Sequence, residues 1–403
     1  MGDPTARAWA EIDLAAVRHN ARLLRRVVAP AELCAVVKAD GYGHGAVAVG
    51  RAALAGGATW LAVAIVDEGI HLRDQGIDAP VLVLSEPPPG AMGDVVASAL
   101  TATLYTHQGV AALDGAARAA GVVADVHVKV DTGMHRVGAD MDDVAALVTA
   151  VGRVDGLRLG ALWSHLAVAE SAEPDDRAFT ALQVRRFDQV CDELRAAGVV
   201  VPLQHLANSG GAISHPAARR DLVRCGIALY GEAPSPSVAD ALAAAAGPGG
   251  AGRLRPALSL RSRVSLVRVL AAGERPSYGR RRALAEESTV VTVPLGYADG
   301  VPRRYFDGRG TVLVGGRHCP LAGTVTMDQL VVDCGPGAEV SVGDDVVLIG
   351  TQGGETISAT SWADVLGTIS YEVLCGIGPR VPRVVVDSGD GGEGARREGE
   401  AGT

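Results

Sequence analysis

Lys38 and Lys129 are the only lysines among the 37 basic side chains of this 403-residue chain. An arginine guanidinium stays protonated, whereas a lysine amine can lose its proton, attack a carbonyl and form a Schiff base. Where arginine fills nearly every cationic role, the remaining lysines mark positions that need an amine. Lys38 follows the apolar run Leu33-Cys34-Ala35-Val36-Val37 and leads into Asp40-Gly41-Tyr42-Gly43-His44-Gly45. That pattern predicts a buried strand delivering an amine into a glycine-rich loop. Similar placements recur downstream. Lys129, Asp131 and Arg136 lie in Val128-Lys129-Val130-Asp131-Thr132-Gly133-Met134-His135-Arg136, and His165 closes Trp163-Ser164-His165. Asn208-Ser209-Gly210-Gly211 and Arg224-Cys225-Gly226-Ile227 follow. Taken singly, each has a plainer reading as a surface lysine, a core histidine, a turn or an ion-pair arginine. Their weight comes from falling on one rim once the strands are counted.

Strand candidates fall near residues 32–38, 59–65, 80–84, 101–104, 122–130, 156–163, 202–206 and 221–229, separated by Ala- and Arg-rich stretches of helical period. The runs are apolar rather than alternating, as in parallel strands buried on both faces. This predicts an α/β fold, a (β/α)8 TIM-type barrel over residues 13–240, with an open doubly wound sheet as the alternative. No G-x-G-x-x-G follows the first strand to favour that alternative. In such barrels chemistry gathers at the carboxyl ends of the strands, and small residues after strands 7 and 8 let backbone N–H groups converge on a phosphate. A Schiff-base lysine facing a phosphate pocket is the footprint of pyridoxal 5'-phosphate. After Pro256 the runs turn β-branched and glycine-punctuated, predicting a mostly β domain over 256–384 with one helix leading into Trp362–Leu366. Residues 233–255 read as a helix and linker, and 387–403 as a disordered tail.

A formal charge of −9 argues against nucleic acid or an anionic membrane as partner, and no stretch approaches a membrane span or a signal peptide. The six cysteines read as scattered structural thiols of a reduced, cytoplasmic protein. No metal-ligand spacing, G-x-S-x-G or P-loop is present, so metallohydrolase, serine hydrolase and nucleotide triphosphatase readings have no residues behind them.

Val36-Val37-Lys38-Ala39-Asp40-Gly41-Tyr42-Gly43-His44-Gly45 resembles the cofactor-lysine motif of bacterial alanine racemases. The likeness continues, in order, through Lys129–Arg136, His205-Leu206-Ala207-Asn208-Ser209, Arg224–Gly231, Ser277-Tyr278-Gly279, Gly296-Tyr297-Ala298-Asp299-Gly300, Met327-Asp328-Gln329 and Ile369-Ser370-Tyr371-Glu372. It covers roughly residues 7 to 383. The resemblance implies a homodimer that interconverts L-alanine and D-alanine, supplies D-alanine for peptidoglycan, and completes each site with the partner's C-terminal domain. It implies that residues 7–12 join that domain. It further implies that Lys38 carries the cofactor, that Tyr42, Ser209, Gly226, Ile227 and Tyr371 hold its phosphate, and that Arg224 faces its ring nitrogen. Arg136 and the backbone of Met327 would receive the substrate carboxylate, Tyr297 and Arg303 would line the access corridor, and Lys129 matches a lysine carbamylated in some members.

Inverting an α-carbon needs a proton removed on one face and returned on the other, hence two bases: Lys38 and Tyr278. A phenol with a pKa of about 10 needs cationic neighbours, a part assigned to His165 and Arg224. His135, Thr326 and the run Arg280-Arg281-Arg282 depart from the family's usual residues and bear on substrate fit or rate. A racemase of another small amino acid such as serine is the near alternative. A decarboxylase is weaker, because its products do not require two bases. A non-catalytic pyridoxal-phosphate carrier is the alternative from a different class, disfavoured by the second domain that bears Tyr278.

Overall fold

The computed structural model describes residues 6–247 and 252–387. The chain opens with strand β1 (Ala8–Asp13), whose last residue caps the helix Leu14–Val28 by accepting the Ala15 and Ala16 amides. Eight parallel strands follow: β2 (Glu32–Val36), β3 (Trp60–Val63), β4 (Val81–Val83), β5 (Thr101–Leu104), β6 (Ala124–Lys129), β7 (Leu157–Trp163), β8 (Leu203–His205) and β9 (Leu222–Cys225). Each pairs with its predecessor from β2 to β8, and β9 pairs back onto β2. The β8–β9 seam carries two bonds, from the Asp221 amide to Gln204 O (3.1 Å) and from the Arg224 amide to Ala207 O (3.0 Å). The result is a nearly closed barrel, and its central residues, such as Val63, Leu82, Ala102, Val128 and Leu162, are fully buried. In Leu33–Val36 of β2 and throughout β3 and β4, consecutive rather than alternate apolar residues satisfy both the barrel interior and the surrounding helices.

The second part is β-rich. Its strands are β10 (Leu258–Arg263), β11 (Leu266–Leu270), β12 (Ser288–Val293), β13 (Thr311–Val314), β14 (Arg317–Pro320), β15 (Leu330–Gly335), β16 (Asp345–Gln352), β17 (Glu355–Ile357) and β18 (Arg383–Val386). One sheet runs β14-β13-β16-β10-β1-β18 with β17 on β16, and a smaller one runs β11-β12-β15. β1 therefore lies between β10 (antiparallel) and β18 (parallel), so the first strand belongs to the second domain.

Three local differences from the sequence reading have simple causes. The run 221–229 is strand only to Cys225; Ile227–Tyr230 is a 3-10 turn that ends on left-handed Gly231. The first β-branched run after Pro256 is broken into β10 and β11, which join different sheets. Beside the expected helix, here Ala359–Leu366 capped by Ser358, a second short helix, Ser370–Cys375, packs against the barrel mouth. The helix Pro236–Ala246 occupies the predicted post-barrel helix, while residues 388–403 of the predicted tail lie outside the described residues. Among the described residues no helix is long and apolar enough to cross a membrane.

Candidate active site

At the carboxyl ends of the barrel strands lies a cleft of about 840 Å³. Lys38 enters it from a turn of unusual hand. Ala39, Asp40, Gly41 and Tyr42 all have left-handed backbone angles, with φ of 53°, 49°, 62° and 53°. Each such non-glycine residue costs ~1–2 kcal/mol, so three within four residues persist only because the surroundings hold them. Glu68 accepts the Ala39 amide (2.6 Å), Asp40 accepts the Ala46 amide (2.8 Å), and Arg383 of β18 donates to Gly43 O (2.9 Å). The turn sets both Lys38 and Tyr42 on the cleft wall.

Register builds the opposite wall. Lys129, Trp163 and His205 are partners across β6, β7 and β8, one row at the barrel's rim. The Lys129 amine sits 4.7 Å from the Trp163 ring centre, and the His205 ring stacks on the other side of the row at 5.3 Å. Arg224, 3% exposed, lies 4.4 Å over the same indole. Its guanidinium donates to His205 Nδ1 (2.7 Å), His165 Nδ1 (3.3 Å), Ser164 O (2.7 Å) and Leu206 O (3.2 Å). A guanidinium has no acceptor, so His205 must present a bare Nδ1 and carry its proton on Nε2. Nε2 then donates to His127 Nδ1 at 3.1 Å.

Lys38, Lys129, Arg136 and Arg224 thus face one cleft, and among the described residues none is ion-paired with a carboxylate. Burial and mutual repulsion act on them. Burial, then Arg136, pulls the Lys38 amine below its usual value. Burial, then Arg224 and Arg136, lowers Lys129 to about 7, and burial brings Arg224 down to about 10, still protonated at neutral pH. His165 is pushed well below its usual value by burial, then by Arg224, Arg136, Lys129 and Lys38. It is therefore a neutral imidazole at physiological pH, not the cation expected of it.

Such a cluster fits an acidic ligand with two anionic ends. At one end Ser209 accepts the Gly226 amide (3.1 Å), and a Cβ on Gly226 would collide with the Tyr42 hydroxyl, so glycine leaves space that any side chain would fill. Ile227 and Tyr371 close this end, Tyr371 with its ring 6.1 Å from that of Tyr42. At the other end stand Arg136, Met134 and Lys129. An amine, a small-residue anion cradle and a buried arginine with an unused N–H suit pyridoxal 5'-phosphate and an amino-acid carboxylate together.

The structure thus gathers Lys38, Tyr42, Lys129, Arg136, His165, Ser209, Arg224, Gly226, Ile227 and Tyr371. It does not bring Tyr278, Met327, Tyr297 or Arg303 to this cleft. Tyr278 is 70% exposed on a turn held by Ser277 Oγ donating to Thr324 O (2.5 Å) and Thr324 Oγ1 donating to Tyr278 O (3.0 Å). Met327 is 52% exposed, and its carbonyl accepts the Ala298 amide (3.0 Å), fixing it beside Tyr297. Tyr297 lines a separate small pocket with Arg304, not Arg303. Sequence reasoning quoted His205 and Trp163 but gave them no part. Their role follows from sharing a row with Lys129, which only the register reveals.

Residues 12–234 match the family model described as alanine racemase, N-terminal domain, and residues 257–385 the corresponding C-terminal domain. The curated alanine racemase of Symbiobacterium thermophilum is 46% identical over 375 residues, 93% of this chain and 96% of its own length. The solved alanine racemase of Streptomyces coelicolor A3(2) superposes with a TM-score of 0.86 at 39% identity, covering 96% of this chain and all of its own. A histidine racemase from Leuconostoc mesenteroides superposes with a TM-score of 0.84 at 28% identity, over 96% of this chain and 99% of its own.

Proposed function

The chain belongs to the alanine racemase family, and we propose that in interconverting L-alanine and D-alanine it uses Lys38 and Tyr278 as bases on opposite faces of the substrate. The carrying observation is the Lys38 amine facing a cleft whose other cations, Lys129, Arg136 and Arg224, have no carboxylate partner among the described residues. When bound, pyridoxal 5'-phosphate supplies an electrophilic carbon for amines and a ring that draws electron density from the α-carbon. Lys38 would hold the cofactor, and Ser209, Gly226, Ile227, Tyr42 and Tyr371 would hold its phosphate. Arg224 would face the ring nitrogen as a donor that keeps its own proton, so electron density stays at the α-carbon for reprotonation. Arg136 would bind the substrate carboxylate, together with the Met327 backbone.

Tyr278 and Met327 project from the β domain, away from the cleft of their own chain. A homodimer in which each β domain caps the partner's barrel would complete both sites. We take residues 13–240 as the cofactor barrel and 256–384 as that capping domain, joined by residues 7–12. Tyr297 and Arg303 would then flank the substrate's route. Lys129, dry and with an amine near pKa 7, is set to add carbon dioxide and release a proton, forming a carbamate that orients Arg136. Six free thiols, five of them buried, suit a cytoplasmic enzyme, where D-alanine would feed peptidoglycan synthesis.

The test is solvent-deuterium incorporation into each enantiomer before racemisation is appreciable. For Tyr278→Phe, exchange from L-alanine should fall by ~10²–10⁴-fold, the loss of a general base, while exchange from D-alanine and cofactor binding persist. Equal, small losses for both enantiomers would make Tyr278 structural. Running serine and histidine in the same assay settles the side-chain choice.

A further inference from the structure

Two cysteines that look scattered in the sequence meet across strands. Cys319 lies on β14 and Cys334 on β15. Leu321 and Val332 form an antiparallel bridge, and the Ala322 amide donates to Val331 O at 2.7 Å. Counting back along both strands sets Cys319 opposite Cys334. Opposed antiparallel pairs alternate, and with Ala322–Val331 hydrogen-bonded, Cys319–Cys334 falls on a non-bonded pair, the kind whose Cα atoms approach to ~4.5 Å. Disulfides span Cα separations of about 4.4–6.8 Å, so this pair lies within reach of a bond. Both residues are nearly buried, yet they floor an open surface pocket of about 260 Å³ rimmed by Arg317, His318 and Asp333. The two thiols are hydrogen-bonded to each other. A hydrogen bond from Cys334 lowers Cys319, and the same contact, then burial, raises Cys334.

We propose that Cys319 and Cys334 form a dithiol modification site that small-molecule disulfides oxidise to a cross-strand disulfide. The Cys319 thiolate attacks one sulfur of the incoming disulfide, forming a mixed disulfide and releasing the first small thiol. Cys334, losing its proton to solvent, attacks the Cys319 sulfur and expels the second. The protein gives up two electrons and two protons, and the incoming disulfide leaves as two thiols. The new bond closes the loop that carries Thr324, the brace of the Tyr278 turn, and Met327. It would thus staple the platform for those residues from outside the cleft. The inference stands apart from the activity proposed above.

Full-length protein loaded with pyridoxal 5'-phosphate is incubated with oxidised glutathione and mapped without reduction. The expected product is about 2 Da lighter, two hydrogens fewer, with the Cys319 and Cys334 peptides joined. Dithiothreitol should reverse it, and the melting temperature of the oxidised form should rise by several degrees. Cys334→Ser should instead accumulate glutathione on Cys319, whereas Cys319→Ser should take up none at Cys334. A lasting glutathione adduct on wild-type Cys319, a bridge between other cysteines, or both thiols surviving an excess of oxidant would overturn the proposal. The wild-type map decides the matter even if a variant is unstable.

Discussion

Lys129 is the residue whose chemistry depends most on its surroundings. At 3% exposure, among arginines, its amine has a pKa near 7, against about 10.4 for a free lysine. Between these values the unfolded chain holds the extra proton, so the folded state gains stability as pH rises through that window, by a few kcal/mol at most. In degassed buffer, the wild-type melting temperature should climb relative to Lys129→Met between pH 7 and 10. With labelled bicarbonate, a carbamate carbon-13 signal should grow as pH passes 7, because only the neutral amine reacts, and should be missing from Lys129→Arg. A signal unchanged by that substitution would remove Lys129 from the carbamate assignment. His165 shows the reverse lesson. A histidine at the barrel rim reads as a cation in sequence, but burial, then Arg224, Arg136, Lys129 and Lys38 around it, leaves it neutral.

At the level of elements, the strand runs were legible because parallel barrel strands are apolar at consecutive positions. That Ser209 and Gly226 meet in one cleft was legible because both sit where strands end. A Gly226→Ala variant should weaken pyridoxal 5'-phosphate binding by roughly ten- to hundredfold, the cost of overpacking a tight contact with Tyr42. A fluorescence titration with cofactor measures it, and unchanged affinity would place the phosphate elsewhere. The left-handed turn after Lys38 was not legible. Ala39 and Tyr42 do not favour positive φ; Asp40 tolerates it, and Glu68 and Arg383 hold the turn from distant parts of the chain. The Trp163 platform and the Cys319–Cys334 pair were hidden for a related reason, since each depends on register between strands rather than on spacing within one.

For the whole molecule, the proposed pairing of Lys38 with the partner's Tyr278 would make catalysis a property of two chains. Lys38→Ala and Tyr278→Phe proteins, each impaired alone, should regain activity when their subunits exchange. The recovery should be roughly a quarter of the wild-type rate, because half the dimers are hybrids with one intact site each. Exchange proven by mass without recovery would put both bases in one chain. A different consequence follows from β1 lying between β10 and β18. Synthesis runs from the amino end, so β1 leaves the ribosome ahead of the barrel and waits, unpaired, while the entire barrel is made. Lys38, Tyr42, Ser209, Gly226 and Ile227 exist before any strand that can shelter β1, and Arg383, which steadies the Lys38 turn, comes almost last. A growing chain can therefore assemble the outline of a cofactor pocket well before the pocket is firm. The exposed edge of β1 is the hazard that interval creates.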